Sequence, residues 1–309
     1  MFGKPYNYPR FTREFLLKDL AASKLASAGP KPGDRAPDFK GRTLEGDVVR
    51  LSDFSGEKNV VLAFGSATCP MTAGSLRGLN DLAEEYRGDD VEFLFVYVRE
   101  AHPGDRLPAH QSIDDKIAAA ELLREEEEVE IPIMVDDLDG AIHKKYGKLP
   151  SPAYLVDKSG RIAFRSLWGR PGEIEAALEE LLERQADRGV EHAIVHGGED
   201  TAMPFSHAAF FSYRALERGG SDAIDDFRGA FGLPGRAMLV TSRVAEPVVL
   251  HPGRAIAGAL LAGGVIAGAL FAGRALRNKR LGLRSPYDLY QEDPDDILPG
   301  EDGYEAVGI

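Results

Sequence analysis

The chain contains one cysteine, Cys69, and that residue bounds the redox chemistry open to it. A lone thiol makes no internal disulfide, no Cys-x-x-Cys exchange pair and no four-cysteine zinc site. It points to a reducing compartment and leaves Cys69 as either a buried small hydrophobe or a reactive thiol. Its setting favours the second. Cys69 follows the apolar run 60–64 and precedes a helix opening at Pro70, a residue suited to the first helical position. At such a strand-to-helix turn the helix dipole is expected to favour the thiolate and lower its pKa. Ser66 and Thr68 stand where their hydroxyls can reach the sulfur.

The elements that must hold this turn alternate between strand and helix from residue 31 to 185. The fully apolar run 60–64 reads as a strand buried on both faces, and 91–98 as a second strong strand. Helical spacing covers 70–87 and 111–124, followed by a strand at 131–135 and a short helix at 139–146. Strands at 154–156 and 162–165 flank Asp157-Lys158-Ser159-Gly160, a hairpin turn. An amphipathic helix at 173–184 closes the block. This order predicts a mixed sheet with helices on both faces. The acidic run Glu125–Glu128 reads as a solvated helix end.

The rest of the 309 residues is appendage. Residues 1–30 read as an amphipathic arm carrying Phe15, Leu16, Leu20 and Leu25, with no secretory signal. Residues 186–250 read as a short helical extension or linker. The stretch 255–273 carries no charge and, as a helix, would run about 28 Å, near a bilayer's hydrocarbon thickness. A single transmembrane helix is the expectation; a buried Ala/Gly helix is the alternative. Gly264, Gly268 and Ala272 fall four apart, a spacing that allows helix pairing and so a homodimer. The cations Arg274, Arg277, Lys279 and Arg280 argue for a cytoplasmic tail, while the missing signal and the lone thiol argue for a cytoplasmic catalytic block. The second argument sets the expectation. Residues 274–309 turn from basic to acidic and read as disordered. With 43% apolar residues the chain can bury a full core, and a net charge of −13 argues against nucleic acid as a partner.

Several motifs resemble the thioredoxin-like redoxin superfamily: Gly33-Asp34-Arg35-Ala36-Pro37-Asp38-Phe39, then Leu51-Ser52-Asp53-Phe54, then the Cys69 turn. Ser151-Pro152-Ala153-Tyr154-Leu155-Val156-Asp157 is similar to the superfamily's cis-proline segment, which implies a cis bond before Pro152, facing the thiol. The resemblance sharpens to the iodothyronine deiodinases over residues 35–184. Phe64-Gly65-Ser66-Ala67-Thr68-Cys69-Pro70 resembles their active-site motif, with Cys69 where that family usually carries selenocysteine. The segment from Val96 through Arg99-Glu100-Ala101-His102 to Asp105 resembles the stretch bearing a functional Glu and His, and Ala109-His110-Gln111 matches the second functional His. The implied fold is a thioredoxin-like α/β three-layer sandwich with a mixed central sheet, followed by the C-terminal helical extension. The chain departs from the family in its cysteine, in Arg106-Leu107 where a Gly-Trp is usual, in the redoxin-type Pro152, and in the C-terminal place of its anchor candidate.

The residues themselves are compatible with that chemistry. Glu100 and His102 lie just past the end of strand 91–98, and ligands bind outside the carboxyl ends of strands in open α/β sheets. If that strand neighbours 60–64, the Cys69 thiol, a carboxylate and an imidazole share one mouth, with His110 opening the next helix toward it. Such a set suits nucleophilic catalysis. The plainer readings are a loop histidine at 102, a surface histidine at 110 and a solvated carboxylate at 100. His143, His192, His196, His207 and His251 form no metal-ligand pattern, and no bound cofactor or metal is expected. Three functions compete. In the first, a deiodinase-like thiol oxidoreductase, the Cys69 thiolate attacks a halogenated aromatic or other soft electrophile. Glutathione or a thioredoxin-like thiol regenerates it, since no second cysteine exists. The second is a one-cysteine peroxidase cycling through sulfenic acid, and the third a membrane-tethered, non-catalytic partner-binding redoxin.

Overall fold

The computed structural model describes residues 6–14, 29–195 and 205–250, nearly all in the compact unit Met1–Val249. The elements in chain order are the hairpin β1 (Lys40–Arg42) and β2 (Val48–Arg50), β3 (Asn59–Gly65), α1 (Pro70–Glu85), β4 (Val91–Tyr97), α2 (Ile113–Glu126), β5 (Ile133–Val135), α3 (Ala141–Lys145), β6 (Ala153–Val156), β7 (Ile162–Ser166), α4 (Pro171–Arg188), α5 (Phe205–Gly219) and α6 (Ser221–Leu250). The central sheet runs β5-β4-β3-β6-β7. β3 pairs parallel with β4 and β4 with β5, whereas β6 and β7 run antiparallel. This is a thioredoxin-like α/β fold with a mixed sheet. The parallel register Gly65↔Tyr97 ends both central strands together, so the Cys69 turn and the Glu100 loop leave the sheet side by side.

Strand alternation divides the core. Val61, Ala63, Phe93, Phe95 and Tyr97 face one layer, with Leu76 and Leu79 of α1, Leu123 of α2 and Leu178 of α4. Burial of each large side chain there contributes about 2 kcal/mol. Leu62, Phe64, Leu94 and Val96 face the other layer. That second face is covered by the β1–β2 hairpin, the short 3-10 turn Leu51–Phe54 and the brief α3, so the main helices α1, α2 and α4 share one side. Helices thus lie on both faces, but on the second face only the brief α3 does so, beside the hairpin.

Residues 205–250 are more than a linker. Helix α5 packs on α1 where Gly74 lets it come close: a methyl group at Gly74 would overlap His207 and press on Phe211. α6 is helical apart from a break at Gly232 (φ 63°, ψ −134°), a conformation glycine adopts readily. Nor is the acidic run wholly solvated. Glu126 and Glu127 hold Arg218 of α5, while Glu125 and Glu128 are exposed. The apolar residues 15–25 of the arm and the stretch 255–273 lie outside the described residues, within which no helix is long and apolar enough to cross a membrane.

Candidate active site

Cys69 sits at the N-cap of α1 with extended backbone (φ −94°, ψ 117°), followed by Pro70 at the first helical position. Gly65 ends β3, and its lack of a side chain admits Thr72 against the strand. The turn thus lies where its sequence implied, but the thiol's environment does not follow. Cys69 is only 1% exposed, in a cluster with Met71, Ala101, Leu149, Trp168, Leu216 and Phe227. Burial pushes its pKa up and outweighs the hydrogen bonds that Thr72 and Met71 offer the sulfur at the helix start. The expected acidic thiol is corrected: desolvation wins over the dipole.

The hydroxyls of Ser66 and Thr68 also go elsewhere. Ser66 Oγ accepts from Ala101 N at 3.1 Å. Thr68 Oγ1 donates to Glu100 Oε2 at 2.6 Å and accepts from His102 N at 2.9 Å, while Thr68 N donates to the same Glu100 oxygen at 3.0 Å. These bonds stitch the Cys69 turn to the loop that follows β4. The hydroxyl in place on the sulfur belongs to Thr72, which also accepts from Ser66 N at 3.3 Å. Sequence reading missed it, although a residue three past the N-cap is where a helix start aims its donors.

Glu100 is fully buried at its side chain and lies at the centre of the arrangement. Tyr97 donates its hydroxyl hydrogen to Glu100 Oε1. His110 Nε2 stands 3.3 Å from the same oxygen, outside hydrogen-bond alignment. Burial raises the Glu100 pKa, yet His110, Thr68 and Tyr97 together outweigh it and hold the carboxyl below its usual range. His110 is placed by the start of α2, where Ser112 and Asp115 form a reciprocal capping box.

His102 is buried against apolar rings, Phe11 at 4.3 Å and Phe227 at 5.6 Å between centroids. Its pKa is pushed down to about 3 by burial, with Glu100 pulling the other way, so the ring is neutral at neutral pH. Nδ1 of His102 and both ring nitrogens of His110 lack a hydrogen-bond partner among the described residues. Ser151-Pro152 stays at the site, since Ser151 Oγ lies 3.3 Å from Thr72 Oγ1 and Phe64 N donates to Pro152 O at 2.9 Å. The bond before Pro152 is trans, correcting the expected cis form. His143 is a satisfied core histidine: its Nδ1 meets Tyr6 OH at 2.6 Å and its Nε2 Leu149 O at 2.7 Å. His192 contacts Asp157, and His207 lies on α5, whereas His196 and His251 fall outside the described residues.

Fold and site together define a thioredoxin-like protein built around one buried thiol and a carboxylate–imidazole cluster. Residues 16–186 match the family model for iodothyronine deiodinase, and the chain belongs to that family. It is 34% identical over 167 residues to thyroxine 5-deiodinase of Gallus gallus, covering 50% of this chain and 64% of that protein. It is 31% identical over 160 residues to type I iodothyronine deiodinase of Xenopus laevis, covering 48% and 62%. The chain thus spans less than two thirds of the length of these curated relatives. Among solved structures, a thiol:disulfide interchange protein of the thioredoxin family from Chlorobium tepidum aligns with a TM-score of 0.38 at 14% identity, covering 50% of this chain and 98% of that one.

Proposed function

We propose that this protein is a thiol-dependent oxidoreductase that removes halogen from aromatic compounds, as its deiodinase relatives' names suggest for them. The observation that carries the reading is Thr68, whose single hydroxyl bonds Glu100 and the His102 backbone and so joins the Cys69 turn to both groups. In this reading the Cys69 proton passes to His102, neutral at rest, a transfer that burial opposes and the Glu100 charge favours. The thiolate attacks the halogen, forming a sulfur–halogen bond. The carbon–halogen electron pair passes to the ring carbon, which takes the proton from His102. An external thiol then displaces halide, leaving a mixed disulfide, and a second external thiol restores Cys69 and departs as disulfide. His110 steadies the Glu100 charge. Residues 255–273 serve as the membrane anchor, a role supported by their uncharged run with cationic flanks.

The test uses purified protein with dithiothreitol and an iodinated phenol, or with hydrogen peroxide, beside Cys69→Ser. Iodide release lost in the variant supports the reading. Peroxide consumption in its place would assign a one-cysteine peroxidase, and neither activity would leave a partner-binding redoxin. His102→Ala should lower turnover in a folded protein; unchanged kinetics would sink its role. Recovery of the full-length chain from the soluble fraction without detergent would refute the anchor.

A further inference from the structure

Arg218 belongs to α5, beyond the segment the family model covers, yet it reaches the active-site turn. Its side chain is 3% exposed. Nη1 donates to Ala67 O at 3.0 Å. Nε is held by Glu126 Oε2 at 2.5 Å and Nη2 by Glu127, both at the end of α2. The carbonyl of Ala67 and the N–H of Thr68 are opposite ends of one planar trans peptide, and that N–H donates to Glu100 Oε2 at 3.0 Å. A single peptide group therefore lies between a buried guanidinium and a buried carboxylate, its dipole aligned with both charges. The thiol is carried by the next residue, Cys69.

We propose that Arg218 is a positioning residue for the thiol chemistry, acting through the Ala67–Thr68 peptide. A flip of that peptide would turn its carbonyl toward Glu100 and its N–H toward Arg218, two unfavourable contacts in a low-dielectric setting. The clamp thus fixes one orientation of the turn, and with it the Thr68 hydroxyl that bonds Glu100 and the His102 backbone. The surroundings are built for it. Arg106 N donates to Gly219 O at 3.0 Å, and Gly104 and Gly219 meet backbone to backbone, which brings the end of α5 onto the loop carrying His102. A purely structural role would place Arg218 merely as an ion pair joining α5 to α2. Arg214 makes that kind of pairing with Glu127 from the same helix and supplies the comparison.

The activity readout rests on the dehalogenation reading; a second readout does not. Full-length Arg218→Met, Arg218→Lys and Arg214→Met are compared with the parent chain, with circular dichroism confirming that each is folded at the assay temperature. In iodide release, Arg218→Met should lose about ten- to hundredfold in kcat with KM little changed, as misplacement of a reacting group does. Arg218→Lys, which keeps a charged donor for Ala67 O, should recover part of that loss. Arg214→Met should stay within about twofold, because a part-exposed ion pair contributes little. Independently of any substrate, iodoacetamide should alkylate Cys69 in Arg218→Met about threefold faster or more, since releasing the turn exposes a buried thiol. Equal effects of Arg214→Met and Arg218→Met, or unchanged alkylation and kcat in Arg218→Met, would overturn the proposal. If the parent chain releases no iodide, the dehalogenation reading fails and the alkylation series alone decides on Arg218.

Discussion

Two parts of the molecule meet at Cys69, and they are held together by different physics. The sheet with α1, α2 and α4 is bound by continuous backbone ladders and a thick apolar layer. The α5–α6 pair is attached to the site loops by a few specific polar contacts: Arg218 on Ala67 O, Arg106 N on Gly219 O, and Asp105, whose Oδ1 accepts from Asp222 N at 2.8 Å. The first part supplies the thiol, Glu100 and both histidines. The second supplies part of the apolar cover, including Leu216 and Phe227. The difference teaches that reactive groups can be fixed by one scaffold while their dielectric is set by helices contributed from elsewhere in the chain.

The comparison can be broken most sharply from the scaffold side. Cys69→Ser should remove iodide release by about a thousandfold or more, because the nucleophile itself is gone. Glu100→Gln should lower kcat by about a hundredfold while the fold survives, checked by steady-state kinetics beside circular dichroism. Gly104→Ala addresses the attachment, since a methyl group there would overlap the Gly219 carbonyl. Overpacking of this kind costs about 1–3 kcal/mol, so Cys69 alkylation should accelerate and the denaturation midpoint fall.

Acid should act on the buried imidazoles. His102 and His143 are held at about 3 and His207 at about 4 by burial, against an ordinary 6.5 in the unfolded chain. Between those values the unfolded state binds the extra protons, so stability falls as pH drops below about 6.5. At pH 5 each buried imidazole should cost about 2 kcal/mol, read as a lower melting temperature than at pH 7. His102→Phe should flatten that dependence, and an unchanged slope would contradict the burial. The smallest expected effect is Asp105→Ala, which removes the distant cap on α6. It should cost about 1 kcal/mol in chemical denaturation, with Cys69 alkylation rising modestly.

Much of the scaffold was legible in the chain because its signals are local. The apolar runs at 60–64 and 91–98, the Asp157–Gly160 turn and the helical spacing at 70–87 each reappear within a few residues. The β1–β2 hairpin leaves no such signal, since its three-residue strands carry too short a pattern. Across 186–250 Gly and His interrupt the periodicity, and the seat of α5 is a close approach to Gly74 of α1, distant in sequence.

The sequence by itself determined the order of strands and helices, the place of Cys69 at a strand-to-helix turn, and the presence of Glu100, His102 and His110 near one end of the sheet. It also determined that Cys69 has no second cysteine in this sequence with which to form an internal exchange pair. Only the tertiary structure decided that the thiol is buried and its pKa raised. It alone turned Ser66 and Thr68 toward the following loop instead of the sulfur, and brought Arg218 to a carbonyl far away in sequence. The physical reason is range. Periodicity and capping are written within one or two turns of chain, whereas desolvation and the choice of hydrogen-bond partner depend on which distant segments exclude water around a group.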